Sequence, residues 1–397
     1  MKYIVVILDG AADYPLDALG GKTPLEVADT PFMDSLAKKG ILGRVKTVPK
    51  GFTPSSDIAN LSLLGYDPNI YYTGRGPLEA ANLGIELREN DLAFRCNLIT
   101  EFEGKLHDYS AGHITNKEAK VLMEHLNQTL GSEGVEFYFG TSYRNLVVIR
   151  GGAEKGLGKL KYSAPHDIIG KEILRYFPKG KGAEVVVDLM NRSKEVLSSH
   201  EINKVRIDLG ENPANMIWLW GCGGKPAMPS FKKQFGIEGA VISAVDLIKG
   251  IGKIIGLRVL NVEGANAYYD TNYLGKGKAA LKALEEVDFV FVHIEATDEA
   301  GHNQDLRMKI TCLERIDKLI VGTIVKNLKD GEYRILVTPD HPTPISKRTH
   351  TDEPVPFLMA GAGIQGDEAV CYSEIEAQNS SLYLDKGVDL LNYFFNK

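Results

Sequence analysis

Ser56 sits in the run Gly51-Phe-Thr-Pro-Ser-Ser56-Asp-Ile-Ala-Asn60. The rest of the chain supplies carboxylates and histidines suited to holding two metal ions around one such hydroxyl. Thr297-Asp298-Glu-Ala-Gly-His302 spaces a carboxylate and an imidazole four residues apart, so on one helical turn both face the same way. By itself that is also the pattern of a helix cap followed by a surface residue. Thr338-Pro-Asp340-His341-Pro-Thr343 reads alone as a proline-rich turn, and His350 within Lys347 to Pro356 reads alone as part of a solvated loop. The conjunction of these segments with Asp9-Gly10 and the Ser55-Ser56 loop is what points to chemistry. Imidazole and carboxylate ligands suit Mn²⁺, Zn²⁺ or related ions, and a serine oxygen binds such an ion well as the alkoxide. The cation thereby turns an inert hydroxyl into a nucleophile, and a metal-activated serine implies phosphoryl transfer.

The elements that must position these groups follow from hydrophobic patterning. Strand-like apolar runs cover Tyr3 to Leu8, Met216 to Trp220, Leu257 to Val262, Val287 to Ile294 and Arg334 to Thr338. Between them Gly239 to Ile248, Gly275 to Glu286 and Met308 to Leu328 carry apolar residues at three- and four-residue steps, which predicts helices. The alternation predicts an α/β fold with a mainly parallel sheet flanked by helices. In such a sheet ligands gather at the carboxyl ends of the strands, where Asp9, Asp298 to His302 and Asp340-His341 all fall.

From about residue 86 to 206 the texture changes to mixed charges and Gly/Lys-rich stretches. This predicts a smaller α/β domain at 86–206 inserted into a discontinuous core formed by 1–85 and 207–397. The linkers are expected near Gly84 to Asn90 and Glu201 to Gly210. With 397 residues, 44% of them apolar, the chain has enough material for a large core. A net charge of −6 and a pI near 5.9 argue against a general nucleic-acid or membrane-surface binder. No segment approaches the ~18 uninterrupted apolar residues of a membrane helix, and the amino-terminal apolar run reads as a buried strand. Cys96, Cys222, Cys312 and Cys371 lack paired spacing and read as reduced thiols of a cytoplasmic protein.

Taken in order, Ile-Leu-Asp9-Gly10, Ser56-Asp-Ile-Ala-Asn60-Leu-Ser62, Asp298-Glu-Ala-Gly-His302, Asp340-His341 and His350-Thr-Asp-Glu-Pro-Val-Pro resemble the metal-site motifs of the alkaline phosphatase superfamily. Over its full length the chain looks like the archaeal-type 2,3-bisphosphoglycerate-independent phosphoglycerate mutases. Tyr-Thr-Gly-Arg75-Gly-Pro, Asp108-Tyr-Ser-Ala-Gly-His113, Tyr143-Arg144-Asn, Pro165-His-Asp167 and Trp218-Leu-Trp-Gly221 carry that likeness further. The resemblance implies an alkaline-phosphatase-like core. It implies two divalent metal ions, Mn²⁺ first with Mg²⁺, Co²⁺ or Zn²⁺ as alternatives, and no 2,3-bisphosphoglycerate. One ion would be held by Asp298, His302 and His350, the other by Asp9, Asp340, His341 and Ser56. Ser56 would accept the phosphoryl group of 3-phosphoglycerate and return it to the other hydroxyl, giving 2-phosphoglycerate. The inserted domain would hold the glycerate through His113, Arg144, His166 and Arg206, with Asp167 relaying protons. A lysine found in the catalytic core of the bacterial form has no obvious counterpart, and Lys225 and Lys278 are the substitutes considered.

Other readings are a phosphatase, phosphodiesterase or other phosphomutase of the same superfamily, a homoserine-kinase-like enzyme, and a metal-stabilised binding protein. The kinase reading lacks a Gly-x-x-x-x-Gly-Lys-Ser/Thr loop. The metal motifs alone do not separate the mutase from its superfamily relatives.

Overall fold

The structure is a computed structural model that describes residues 1–366 and 368–397. Among the described residues the strands, numbered along the chain, are β1 Lys2–Leu8, β2 Ile41–Val45, β3 Leu92–Phe102, β4 Lys105–Asp108, β5 Val135–Thr141, β6 Arg144–Ile149, β7 Met216–Gly224, β8 Gly239–Ile242, β9 Arg258–Leu260, β10 Phe289–Ile294, β11 Tyr333–Thr338, β12 Val355–Gly361 and β13 Tyr383–Leu384. They fall into two compact units, one built from Met1–Tyr72 with Met228–Lys397, the other from Thr73–Ala227.

The first unit holds an eight-stranded sheet in the order β13-β2-β12-β11-β1-β10-β8-β9. Its centre is parallel: β1 pairs with both β10 and β11, and β10 with β8. The antiparallel partner β12 follows on one side. β10 is buried at every residue and β1 at its last five, which is why they read as unbroken apolar runs and not as alternating ones. Three strands ending side by side bring their following residues to one edge. Thus Asp9 follows β1, Glu295 follows β10 and Pro339-Asp340 follow β11.

Two segments differ from the sequence expectation. Gly239 to Ile248 is not one helix: Gly239–Ile242 is strand β8, and a helix begins only at Asp246 and runs to Ile254. A four-residue buried strand and the helix after it together mimic helical spacing. Met308 to Leu328 is helical but broken in character, with an α-helix at Leu306–Ile316, a π-helical stretch at Asp317–Val321 and a further turn at Gly322–Asn327.

The second unit is an antiparallel sheet in the order β4-β3-β6-β5, with β7 pairing on the other side of β3. Helices Asn116–Leu130 and Ala183–Ser198 bury Leu122, Met123, Leu126, Leu189 and Met190 in its core. This unit is wider at both ends than 86–206. The helix Arg75–Leu83 packs Ala80 against Ala93, Leu146 and Val148, and Met216–Trp220, expected as a core strand, is the first part of β7.

Candidate functional site

Ser56 is the first residue of the helix Ser56–Leu63, with Ser55 preceding it in extended conformation. The rival hydroxyl, Ser55 Oγ, donates to Thr53 O at 3.4 Å, whereas Ser56 Oγ lies 3.2 Å from His341 Nε2. The helix start also favours negative charge at Ser56, because the first backbone N–H groups have no intrahelical acceptor.

Two donor clusters meet at the strand edge. In the first, His341 Nε2 lies 3.5 Å from Asp9 Oδ1 and 3.6 Å from Asp340 Oδ2, beside Ser56 Oγ. In the second, Asp298 Oδ2 is 3.2 Å from His302 Nε2 and Asp298 Oδ1 is 3.3 Å from His350 Nε2. The two imidazole Nε2 atoms stand 2.9 Å apart, a spacing that suits two donors of one ion bound at ~2.1 Å each. All seven residues proposed from sequence as ligands therefore gather in the first unit.

The neighbourhood is arranged to hold cations. Both carboxylate oxygens of Asp9 are buried without a hydrogen bond, an expensive state unless a cation completes them. Burial and the adjacent Asp340, Asp298 and Glu295 carboxylates push the Asp9 pKa well above its usual range. Against the effect of burial, His302 and His350 hold Asp298 well below that range. Asp298 in turn raises His302 to about 9, again against burial. Each histidine has its Nδ1 engaged elsewhere: His302 with Arg348 O at 3.0 Å, His350 with Pro54 O at 3.2 Å and His341 with Thr343 Oγ1 at 3.3 Å. A Nδ1–H given to an outer acceptor leaves the Nε2 lone pair facing the cluster, as metal-binding imidazoles require. This donor set fits two divalent cations.

Several groups here have roles that the sequence did not assign, including some inside the quoted motifs. Asn60 Nδ2 donates to Asp340 Oδ2 at 2.7 Å and to Ser56 O at 2.8 Å, joining the serine and a carboxylate from one buried amide. His293, fully buried on β10, places Nε2 3.2 Å from Asp9 Oδ2 and Nδ1 3.3 Å from Ser243 Oγ. Thr297 Oγ1 donates to Asp9 O, and Gly10 N donates to Asp340 Oδ1 at 3.1 Å. Gly10 has φ of +62°, and an added Cβ would lie 2.5 Å from both Asp298 Oδ1 and Thr343 Oγ1, so no other residue fits. One buried lysine nearby is Lys276, whereas Lys225 and Lys278 are exposed. Its Nζ donates to His293 O at 3.0 Å, and burial lowers its pKa to about 8, while Glu295 and Asp9 oppose that shift.

The residues expected to hold the glycerate lie in the second unit. His113 has φ of +52° in a turn whose Ser110 and Gly112 amides donate to the Asp108 carboxylate at 2.7 Å each. Its ring is 6.1 Å from that of Tyr143, over which the Arg144 guanidinium sits at 5.7 Å. Tyr143 contacts Tyr109, which contacts His166, which contacts Trp220 at 5.5 Å. His113, Arg144 and His166, all exposed, thus line one run of half-buried and buried aromatic rings, with Asp167 Oδ1 3.8 Å from His166 Nε2. Arg75, 5.8 Å above Trp220, joins it. Arg206 does not: it is buried, and its guanidinium is spent on Glu118 at 3.0 Å, Ala111 O at 2.8 Å and Asn212 O at 2.9 Å. That arginine braces the fold instead of presenting a fork to a ligand.

The comparisons agree with this architecture. The sequence profile of the 2,3-bisphosphoglycerate-independent phosphoglycerate mutases matches residues 37–203. A 2,3-bisphosphoglycerate-independent phosphoglycerate mutase of Methanothermobacter thermautotrophicus is 50% identical, covering 96% of this chain and 94% of its own. That of Methanothrix thermoacetophila is 49% identical over 98% of both. Among solved structures, a Pyrococcus horikoshii protein superimposes with a TM-score of 0.87 at 33% identity, covering all of this chain and 96% of its own. The cofactor-independent phosphoglycerate mutase of Thermoplasma acidophilum does so at 0.69 and 29%, covering all of this chain and 99% of its own. Near-complete coverage at half identity is decisive: the chain belongs to the 2,3-bisphosphoglycerate-independent phosphoglycerate mutase family.

Proposed function

We propose that this chain interconverts 3-phosphoglycerate and 2-phosphoglycerate through a phosphoserine at Ser56, without 2,3-bisphosphoglycerate. The observation that carries the reading is the position of Ser56 Oγ, at a helix start and 3.2 Å from the Nε2 of His341 within the first donor cluster. Asp9, Asp340, His341 and Ser56 would hold one divalent cation and Asp298, His302 and His350 the other, with Mn²⁺ the favoured ion. When bound, such ions lower the pKa of the serine hydroxyl and offset the charge of a transferring phosphoryl group.

The chain's own residues do the rest. Ser56 Oγ forms a bond to phosphorus as the bond to the glycerate oxygen breaks, and the reverse displacement by the other glycerate hydroxyl regenerates the serine. Asn60 fixes the helix start against Asp340, so the nucleophile is held before substrate arrives. His113, Arg144 and His166 are assigned to the glycerate and its carboxylate, with Asp167 moving the proton between the two hydroxyls. Arg206 is withdrawn from that set because it is buried and its guanidinium is engaged by Glu118, Ala111 and Asn212.

Protein stripped of metal and reloaded with Mn²⁺ is assayed with 3-phosphoglycerate, coupled to enolase. Turnover is expected only after reloading, together with loss of activity and of phosphoprotein in Ser56→Ala but not in Ser55→Ala. Free phosphate as the main product, or a phosphopeptide labelled at Ser55, would overturn the reading.

A further inference from the structure

A second buried charged network lies beside the donor clusters. Lys309, on the helix Leu306–Ile316, and Asp13, four residues beyond Asp9, both have fully buried side chains. Lys309 Nζ donates to Asp13 Oδ2 at 2.7 Å and to Thr343 O at 2.8 Å. Asp13 also accepts from Ile345 N at 3.1 Å and Tyr14 N at 2.8 Å. A buried ion pair is rarely the cheapest way to stabilise a fold, since apolar side chains of equal volume often do as well. Its placement is more telling. The pair clamps both sides of Thr343, by its own carbonyl and by the amide two residues on.

Thr343 touches both donor clusters through a single hydroxyl. Its Oγ1 donates to Asp298 Oδ1 and lies 3.3 Å from His341 Nδ1. A hydroxyl has one hydrogen. Once that hydrogen is given to the carboxylate, Oγ1 can only accept from His341, so the proton of neutral His341 must sit on Nδ1. The Nε2 lone pair then faces Ser56, Asp9 and Asp340. The Gly10 and Gly301 backbones lie so close to Thr343 that a Cβ on either would collide with it.

We propose that Lys309 and Asp13 are positioning residues that act through Thr343, fixing the Asp298 carboxylate and the His341 tautomer and so setting the affinity of the site for divalent cations. This rests on Asp298 and His341 being ligands.

The test is Mn²⁺ binding to stripped protein by calorimetry, with thermal melting of the same samples and kcat and KM measured separately. Thr343→Val keeps the shape and removes the hydroxyl; Mn²⁺ affinity is expected to fall about 10–100-fold with KM little changed. Thr343→Ser should restore it. The double variant Lys309→Met/Asp13→Leu removes the pair without stranding a charge, but the Ile345 and Tyr14 amides and the Thr343 carbonyl lose their partners, so it should melt below the parent and, below its melting temperature, bind Mn²⁺ weakly. Parent-like affinity in Thr343→Val, or in the folded double variant, overturns the proposal. Asp298→Asn separates the two levels. If it loses an ion while Thr343→Val does not, only the positioning role fails; if it binds both ions as the parent does, the ligand assignment itself fails.

Discussion

Asn60 offers a sharp test of how the serine and its surroundings are held. Its side chain is fully buried, and Nδ2 divides its two hydrogens between Asp340 Oδ2 at 2.7 Å and Ser56 O at 2.8 Å. Asn60→Ala removes a hydrogen bond to a carboxylate, worth about 1.5–3 kcal/mol, and a neutral one worth about 0.5–1.5 kcal/mol. Those bonds set the loss of stability; because the amide also orients the Asp340 carboxylate that would hold the cation, its removal should lower Mn²⁺ affinity roughly 10–100-fold. Asn60→Asp distinguishes orientation from mere packing. At pH 8 it sets a second carboxylate against Asp340 in place of a donor, and its effect should exceed that of alanine. The assay is calorimetric Mn²⁺ titration of stripped protein at pH 8, alongside coupled mutase turnover. Parent-like affinity in Asn60→Ala, or tighter binding in Asn60→Asp than in Asn60→Ala at pH 8, would refute the reasoning.

Other expectations follow from single residues. Desolvation raises the Glu374 carboxyl from 4.5 to about 7. Its contribution to stability is thus full below pH 4.5 and lost as pH rises through about 7. In Glu374→Gln the amide can still accept from Asp13 N and can donate to Thr23 Oγ1. The decline in urea midpoint between pH 5 and pH 8 should therefore flatten, and an unchanged decline would count against the assignment. Gly10→Ala costs about 1–2 kcal/mol for left-handed backbone and also drives Asp298 and Thr343 apart; circular dichroism should remain native while turnover is lost. Arg206→Met should destabilise the protein by about 3 kcal/mol, read from denaturant unfolding, yet leave KM for phosphoglycerate unchanged in the folded protein. A raised KM would return that arginine to the substrate set.

What could be read from the sequence follows the range of the interaction that determines it. The strands β1, β10 and β11 announce themselves as apolar runs, and the residues just past them carry the chemistry, so Asp9, Asp298, His302, Asp340 and His341 were visible as types in places. β8 was not, because four buried residues give too short a pattern to separate period two from period 3.6. The extent of the second unit was also hidden. β7 belongs there by pairing with β3, a partner more than a hundred residues earlier, and no local composition marks such a pairing. Asn60, His293, Thr343, Lys276 and Lys309 went unread for a related reason. A buried polar side chain is defined by what surrounds it, and in one dimension it looks like any surface residue. Arg206 shows the converse, a residue type suited to ligands that the fold has buried and engaged through all three of its nitrogens.

The central strands also decide when this protein can acquire its chemistry. Asp340 receives its hydrogen bond from Gly10 across a separation of 330 residues, and Thr297 reaches Asp9 across 288. The first donor cluster draws on residues from Asp9 to His341 and the second on Asp298 to His350, and both sit at the edge made when β10 and β11 dock on opposite sides of β1. Such long closures come late in folding. A partly folded chain would carry scattered ligands of ordinary affinity and no activated serine, and tight cation binding would arrive together with the finished sheet. The fold thus acts as an assembly checkpoint, withholding a reactive nucleophile from every intermediate that lacks the means to control it.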